Sequence, residues 1–378
     1  MANLKEIENY IDNKLPEIKA EYVIGIIGEN PSVTARSPYV WNPVLEDFGL
    51  NSYFYCFDVK RKNLKALVGA LKANDSVLGF SVTKPYKKEV IKYLDSLDEK
   101  AKQIGAVNTV VRGNLGYLGG YNTDGMGAVL ALTKSYTQPF IDLNEKNILL
   151  IGAGGAGRAV AFYLAEAISP KTALKPKLLI VNRNVASAET LSCDVNHYYK
   201  KEVSTFECED ELIDILSKRE FDLVVNATTK GQAGLVYDRP GRKVTTLEHY
   251  SSLAQASPVY FTPLGNFYKR FIESCDLDIQ INNSVSRKIV SAKNLENAKF
   301  FDVIFSPRET IMLRDARLSG HDTLNGISMN KYQALEAMRL ILAPRLSFAH
   351  PPDLRSDFSM FEEEKDILTR LEEKVLSS

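Results

Sequence analysis

Short apolar runs alternate along this chain with stretches in which apolar residues recur every three or four positions. Residues 22–28, YVIGIIG, form a continuous apolar run ending in glycine, as a strand buried on both faces does. SYFYCFDV (52–59) and VLGFSVT (77–83) have the same character, and NLKALVGALKA (63–73) between them repeats with helical spacing. Strand and helix alternating at this interval predict βαβ units and a parallel sheet. A second series starts at NILLIGAGGAGRAVAFYLAEA (147–167) and continues through KLLIVNR (177–183) and FDLVVNAT (221–228), predicting strand, helix, strand, strand. FFDVIFSP (300–307) predicts a further strand, and NKYQALEAMRLILAPR (330–345) an amphipathic helix. Residues 236–300 carry no clean period and yield no assignment. The tail FEEEKDILTRLEEKVLSS (361–378) reads as a solvated helix rich in i,i+4 charge pairs.

At 378 residues the chain is long for one core, so two domains are expected. Its 47 basic and 47 acidic residues cancel, which argues against nucleic acid as a partner. Cys56, Cys193, Cys208 and Cys275 lack paired spacing, and His197, His249, His321 and His350 form no ligand set. Reduced packing cysteines and no metal site are expected. The start, MANLKEIENYIDNKLPEIKAEY, is charged throughout and lacks the apolar core of a signal peptide. No stretch approaches the roughly 18 apolar residues of a membrane span. A cytoplasmic protein is the expectation.

The densest signal is LLIGAGGAGRAV. Gly152, Gly154 and Gly157 stand in the G-x-G-x-x-G pattern, directly after an apolar run and directly before a helical one. The first glycine permits the tight turn, the second lets backbone approach a pyrophosphate, and the third lets helix and strand pack closely. The next predicted strand ends in Asn182 and Arg183, with no acid before Glu189. A carboxylate there would hold the ribose 2′-hydroxyl of NAD, whereas a guanidinium can bind a 2′-phosphate bidentately. The pattern therefore favours NADP, with NAD as the alternative.

GFSVTKPYKKEV (79–90) sets Lys84, Lys87 and Lys88 beside Pro85. Pro85 suits the first position of a helix, which would put Lys87 in the opening turn, where the helix dipole opposes its charge. IGAVNTVV (104–111) and GYNTDGMGAVLAL (120–132) add polar residues next to apolar runs, where each alone reads as a cap or turn.

Taken in order, ARSPYVWN, GFSVTKPYKKEV, IGAVNTVV, GYNTDGMG, IGAGGAGRA, VNR, VNATTKG and NGISMNKYQ resemble the shikimate/quinate dehydrogenase family, over nearly all of residues 22–345. The resemblance implies two α/β domains. A discontinuous substrate-binding domain would span residues 1–123 and 326–378, and a Rossmann-type NADP domain 124–325, with 236–300 as an insertion. It implies Lys87 as the catalytic lysine and Asp124 as its partner. Thr83, Asn108 and Gln333 match polyol-binding positions, and Ser37 a residue that binds the substrate carboxylate. Gly152, Gly154, Gly155, Ala156, Gly157, Asn182, Arg183, Thr228 and Gly326 fall on cofactor-binding positions.

The implied reaction is hydride exchange between NADP and the C3 carbon of shikimate or 3-dehydroshikimate, with Lys87 moving the proton. A monomer or homodimer acting on a small molecule is expected. Three positions depart from the family pattern: Ala35 for a serine, Trp41 for a histidine and Phe305 for a tyrosine. Altered substrate contacts there would suit quinate or a related cyclic acid. A catalytically silent sensor on the same scaffold is the third reading.

Overall fold

The computed structural model describes residues 4–134, 139–168, 176–232, 235–239, 242–246, 250–255 and 267–342. His249, His350 and the helix expected over 361–378 lie outside them. The chain divides into two units, Met1–Gly127 with the segment from Lys331 onward, and Ala128–Asn330. Among the described residues no helix is long and apolar enough to cross a membrane.

The first unit is organised by β1 (Tyr22–Gly28), whose apolar residues are buried on both faces. Around it come α1 (Lys5–Glu8), α2 (Pro31–Thr34), α3 (Ser37–Asp47), β2 (Ser52–Asp58), α4 (Leu64–Ala73), β3 (Val77–Val82), β4 (Ser96–Leu97), α5 (Glu99–Ile104), β5 (Thr109–Arg112) and β6 (Leu118–Tyr121). The sheet order is β2-β1-β3-β5-β6-β4. β1, β2 and β3 run parallel, but β5 pairs antiparallel with both β3 and β6. The all-parallel expectation is therefore corrected to a mixed sheet. The polar stretches around 108 and 122 are the ends of a hairpin, and a hairpin can only be antiparallel. Gly79 matters here: a Cβ on it would lie 2.5 Å from Val110 O and 2.9 Å from Ile341 Cγ1, so glycine lets the last described helix settle onto β3.

The second unit holds β7 (Ile148–Ile151), α7 (Gly155–Ile168), β8 (Leu178–Asn182), α8 (Val185–Tyr199), β9 (Ser204–Cys208), α9 (Leu212–Lys218), β10 (Leu223–Asn226), the hairpin β11 (Leu235–Arg239) and β12 (Arg242–Thr246), α10 (Phe267–Val290), β13 (Lys299–Asp302), α11 (Ile311–Leu318) and β14 (Thr323–Leu324). The chain passes between units within α6 (Asp124–Thr133) and α12 (Gly326–Leu342). The order β14-β13-β10-β7-β8-β9 is all parallel and reverses between β7 and β10, the doubly wound dinucleotide arrangement. β7 is buried along its whole length, and both faces of the sheet are covered.

Several sequence expectations need amendment. α8, β9 and α9 stand where strand following strand was expected; β9 is not legible in sequence because STFEC is half-polar and its inward face is set by pairing to β8. The strand expected over 300–307 stops at Asp302, whose carboxylate accepts the N–H of Ile304 at 2.9 Å and turns the chain out of the ladder. The unassigned stretch 236–300 contains most of the hairpin, all of α10 and the start of β13.

Candidate active site

Register builds the first cluster. Thr109 pairs with Tyr121 across β5 and β6, so the residues just before β5 face those just after β6. The Asn108 N–H donates to Tyr121 O at 3.0 Å. Its side chain then closes the corner: Oδ1 accepts the Thr123 N–H at 2.9 Å and the Thr109 hydroxyl at 3.0 Å. The Asn108 amide nitrogen faces Thr123 Oγ1 at 3.0 Å, Asp124 Oδ1 at 2.8 Å and Gln333 Oε1 at 3.4 Å. Asn122 donates to Ala106 O at 3.0 Å and accepts the Asp124 N–H at 3.1 Å, an Asx turn that leads into α6. Asn108, Asn122 and Thr123 are all buried, and buried amides are held this firmly because their unmade bonds would be costly.

Asp124 therefore stands fixed with one oxygen on Asn108. Its other oxygen, Oδ2, accepts from Lys87 Nζ at 2.6 Å. The Lys87 side chain is 31% exposed and that of Asp124 13%, so the pair is accessible yet well shielded. Lys84 and Lys88 are exposed. What separates the three lysines is Tyr86, fully buried with its hydroxyl donating to Val59 O at 2.7 Å.

The helix expected from Pro85 is not there. Residues 84–89 form turns, and the first regular turn is a 3-10 turn at Val90–Tyr93. The reason is long-range: Lys87 O accepts the Val107 N–H at 2.7 Å, so this carbonyl is bound to the strand-5 approach rather than to a helix ladder. No helix of its own opens at Lys87; its charged neighbour is Asp124, the first residue of α6.

Thr83 follows β3 half-buried, with its N–H donating to Ile27 O at 2.9 Å. Ser37 opens α3, also half-buried. The expected substrate contact at Trp41 is corrected. This ring is buried and packs on Phe54 with centroids 5.0 Å apart, so it belongs to the core. Asn42 beside it accepts the Phe54 N–H at 2.8 Å and donates to Phe54 O at 3.3 Å, fastening α3 to β2. Phe305 is half-buried in the second unit.

The glycine loop forms the second site. Gly152 has φ +112°, open only to glycine, and a Cβ there would lie 2.9 Å from Thr228 Cγ2. A Cβ on Gly157 would lie 1.9 Å from Gly152 O, so the turn closes only without one. Gly154 and Gly155 have nothing within 4 Å of that position, which leaves the backbone at the start of α7 approachable. Such a helix start offers unpaired N–H groups to an anion. Asn182 ties this loop to the end of β8: Oδ1 accepts the Ala153 N–H at 3.2 Å, and Nδ2 donates to Asn184 O at 2.9 Å. Arg183 is exposed beside it, whereas Arg158 is engaged by Asp194 at 2.6 Å. The loop, the open helix start and a guanidinium without a carboxylate at the β8 end all fit NADP.

Across the strand reversal, Thr228 donates its N–H and its hydroxyl to Asn226 Oδ1 at 3.0 and 2.7 Å. Gly326 starts α12, where a Cβ would lie 2.1 Å from Val303 O. Asp302 was not singled out from the sequence. It is fully buried, and desolvation pushes its carboxyl up to about 6 against the opposing effect of its hydrogen bonds. The signal was present in FFDVIF, where an acid interrupts an apolar run and so must find partners.

Comparison with known proteins bears on both sites. A family model described as the shikimate dehydrogenase substrate binding domain matches residues 26–110. The shikimate dehydrogenase (NADP(+)) of Methanococcus vannielii is 33% identical over 312 residues, covering 82% of this chain and 88% of that protein. A crystal structure of a shikimate dehydrogenase in complex with NADP+ is 28% identical, with TM-score 0.60, covering 94% of this chain and 95% of that one. Shikimate 5-dehydrogenase from Listeria monocytogenes, solved with shikimate and NAD, is 26% identical with TM-score 0.60, covering 84% and 91%. With its paired lysine and aspartate in a mixed-sheet unit and its glycine loop in a Rossmann-type one, this chain belongs to the shikimate dehydrogenase family.

Proposed function

We propose that the chain is an NADP-linked shikimate dehydrogenase interconverting 3-dehydroshikimate and shikimate. The observation that carries this reading is the Lys87–Asp124 pair at 2.6 Å, with Asp124 itself fixed by Asn108. Residues 1–123 and 326–378 are read as the substrate-binding part, and 124–325 as the cofactor-binding part.

In the reducing direction Lys87 Nζ gives a proton to the oxygen of the C3 carbonyl; in the oxidising direction it takes that proton back. Asp124 holds the ammonium in place, and Asn108 keeps Asp124 from rotating away. Thr83, Asn108 and Gln333 bind ring hydroxyls, and Ser37 binds the ring carboxylate. Gly152, Gly154, Gly155, Ala156 and Gly157 would hold the pyrophosphate of NADP, Asn182 and Arg183 would take its 2′-phosphate, and Thr228 and Gly326 would complete the cofactor site. Hydride exchange at C3 is the chemistry that NADP supplies when bound.

Ala35 favours quinate as a second reading, since a smaller residue than serine leaves room for the extra hydroxyl at C1. One assay tests both: nicotinamide absorbance with shikimate or quinate, each with NADP+ or NAD+. Turnover fastest with shikimate and NADP+ is the expected result. Faster turnover with quinate would move the substrate assignment, and none in any combination from folded protein would overturn the enzyme reading.

A further inference from the structure

We propose that Asp302 is a positioning residue for the cofactor site, its carboxylate latching the loop after β10 to the loop after β13 so that Thr228 and Gly326 stand where a dinucleotide needs them. This rests on the reading of the second unit as NADP-binding.

Among the described residues, each hydrogen-bond partner of that carboxylate is a donor. The Asn226 amide nitrogen lies 3.1 Å from Oδ1 and 3.0 Å from Oδ2. The Ile304 N–H donates to Oδ1 at 2.9 Å, and the Thr310 hydroxyl to Oδ2 at 2.8 Å. Each contact leads onward. Asn226 Oδ1, aimed by this grip on its amide, accepts both Thr228 donors, and Asn226 Nδ2 also reaches Lys230 O at 3.1 Å. Ile304 O accepts the Gly326 N–H at 3.0 Å. Thr310 lies against Gly231, where φ is +97° and a Cβ would stand 3.1 Å from Thr310 Cβ.

Holding the sheet together does not require this side chain. β10 and β13 already pair through their backbones from Leu223↔Lys299 to Asn226↔Asp302. A buried carboxylate is also a poor source of stability beside an apolar residue of similar size. What Asp302 adds is the relative placement of two loops. Asn in its place removes the charge and sets an N–H₂ against the Asn226 amide, which weakens that grip even where the Thr310 hydroxyl turns to accept. The Thr310 hydroxyl is the link that can be removed alone.

The test measures NADP+ dissociation constants on the full chain for wild type, D302N, T310V and T310S, together with shikimate binding in the absence of cofactor and thermal melting. D302N is expected to raise the NADP+ constant by roughly tenfold or more, the factor that loss of one charge-assisted bond corresponds to. T310V should raise it by about threefold to tenfold, and T310S, which keeps the hydroxyl, should stay within about twofold. Shikimate binding should be unchanged in all of them. A folded D302N binding NADP+ like wild type would overturn the proposal. So would equal constants for T310V and T310S, which decide the matter if D302N does not fold. Wild type that binds no nicotinamide dinucleotide would instead overturn the underlying functional reading together with it.

Discussion

Replacing Lys87 by alanine separates chemistry from stability in this protein. A positioned proton donor contributes about a hundredfold to ten-thousandfold to rate, or about 3–5 kcal/mol of barrier. The structural loss is much smaller. Asp124 keeps the Asn108 amide at 2.8 Å and its own N–H on Asn122, and its side chain stays 13% exposed to water. Loss of the ammonium from this half-screened pair should cost about 1–2 kcal/mol of stability. Lys87→Ala is therefore expected to melt within a few degrees of wild type and to bind NADP+ normally, because the glycine loop belongs to the other unit. Its kcat for shikimate oxidation, followed as NADPH absorbance at saturating substrate, should fall by at least about a hundredfold. A kcat within tenfold of wild type would refute the reasoning, because then neither the 2.6 Å pair nor its shielding does chemistry.

Other expectations follow from single contacts. Gly157→Ala pushes a methyl against Gly152 O, at 1.9 Å, so it should open the turn and abolish detectable NADP+ binding in a fluorescence titration. Trp41→Ala removes a buried ring packed on Phe54 and should cost about 3–5 kcal/mol in urea unfolding, an outcome a substrate-contacting residue would not give. Arg183→Ala should weaken NADP+ by roughly tenfold and leave NAD+ within about twofold, as measured by calorimetry. Burial raises the Asp302 carboxyl from 3.8 to about 6, so the folded chain holds its proton more tightly than the unfolded one. Its favourable contribution is complete below its ordinary value and lost as pH rises through about 6. Wild type should thus lose about 2 kcal/mol relative to D302N between about pH 4 and pH 7, read from urea melts at both.

Much of this was legible in sequence because it depends on local rules. The runs at 22–28, 52–59 and 77–83 became β1, β2 and β3 almost residue for residue, since a continuous apolar run must be covered on both faces wherever it goes. Gly152 and Gly157 announced their turn because φ and close approach exclude every other residue. What failed was anything decided by a partner far along the chain. Pro85 signalled a helix start, but Val107 claimed the Lys87 carbonyl. Trp41 stood where the family pattern suggested a ligand contact, but Phe54 drew it into the core. The 24-residue α10 lies in a stretch with no clean period.

By itself, then, the sequence determined the continuous apolar strands such as β1, β3 and β7, the glycine turn and the kinds of residue available for chemistry, because backbone sterics and apolar runs act within a few positions. Only the tertiary structure decided that Asn108 braces Asp124 beneath Lys87, that Gln333 joins them from more than two hundred residues away, and that Asp302 gathers two loops. Those contacts depend on strand register and on the donors that burial leaves without water, and neither quantity exists until the sheets have formed.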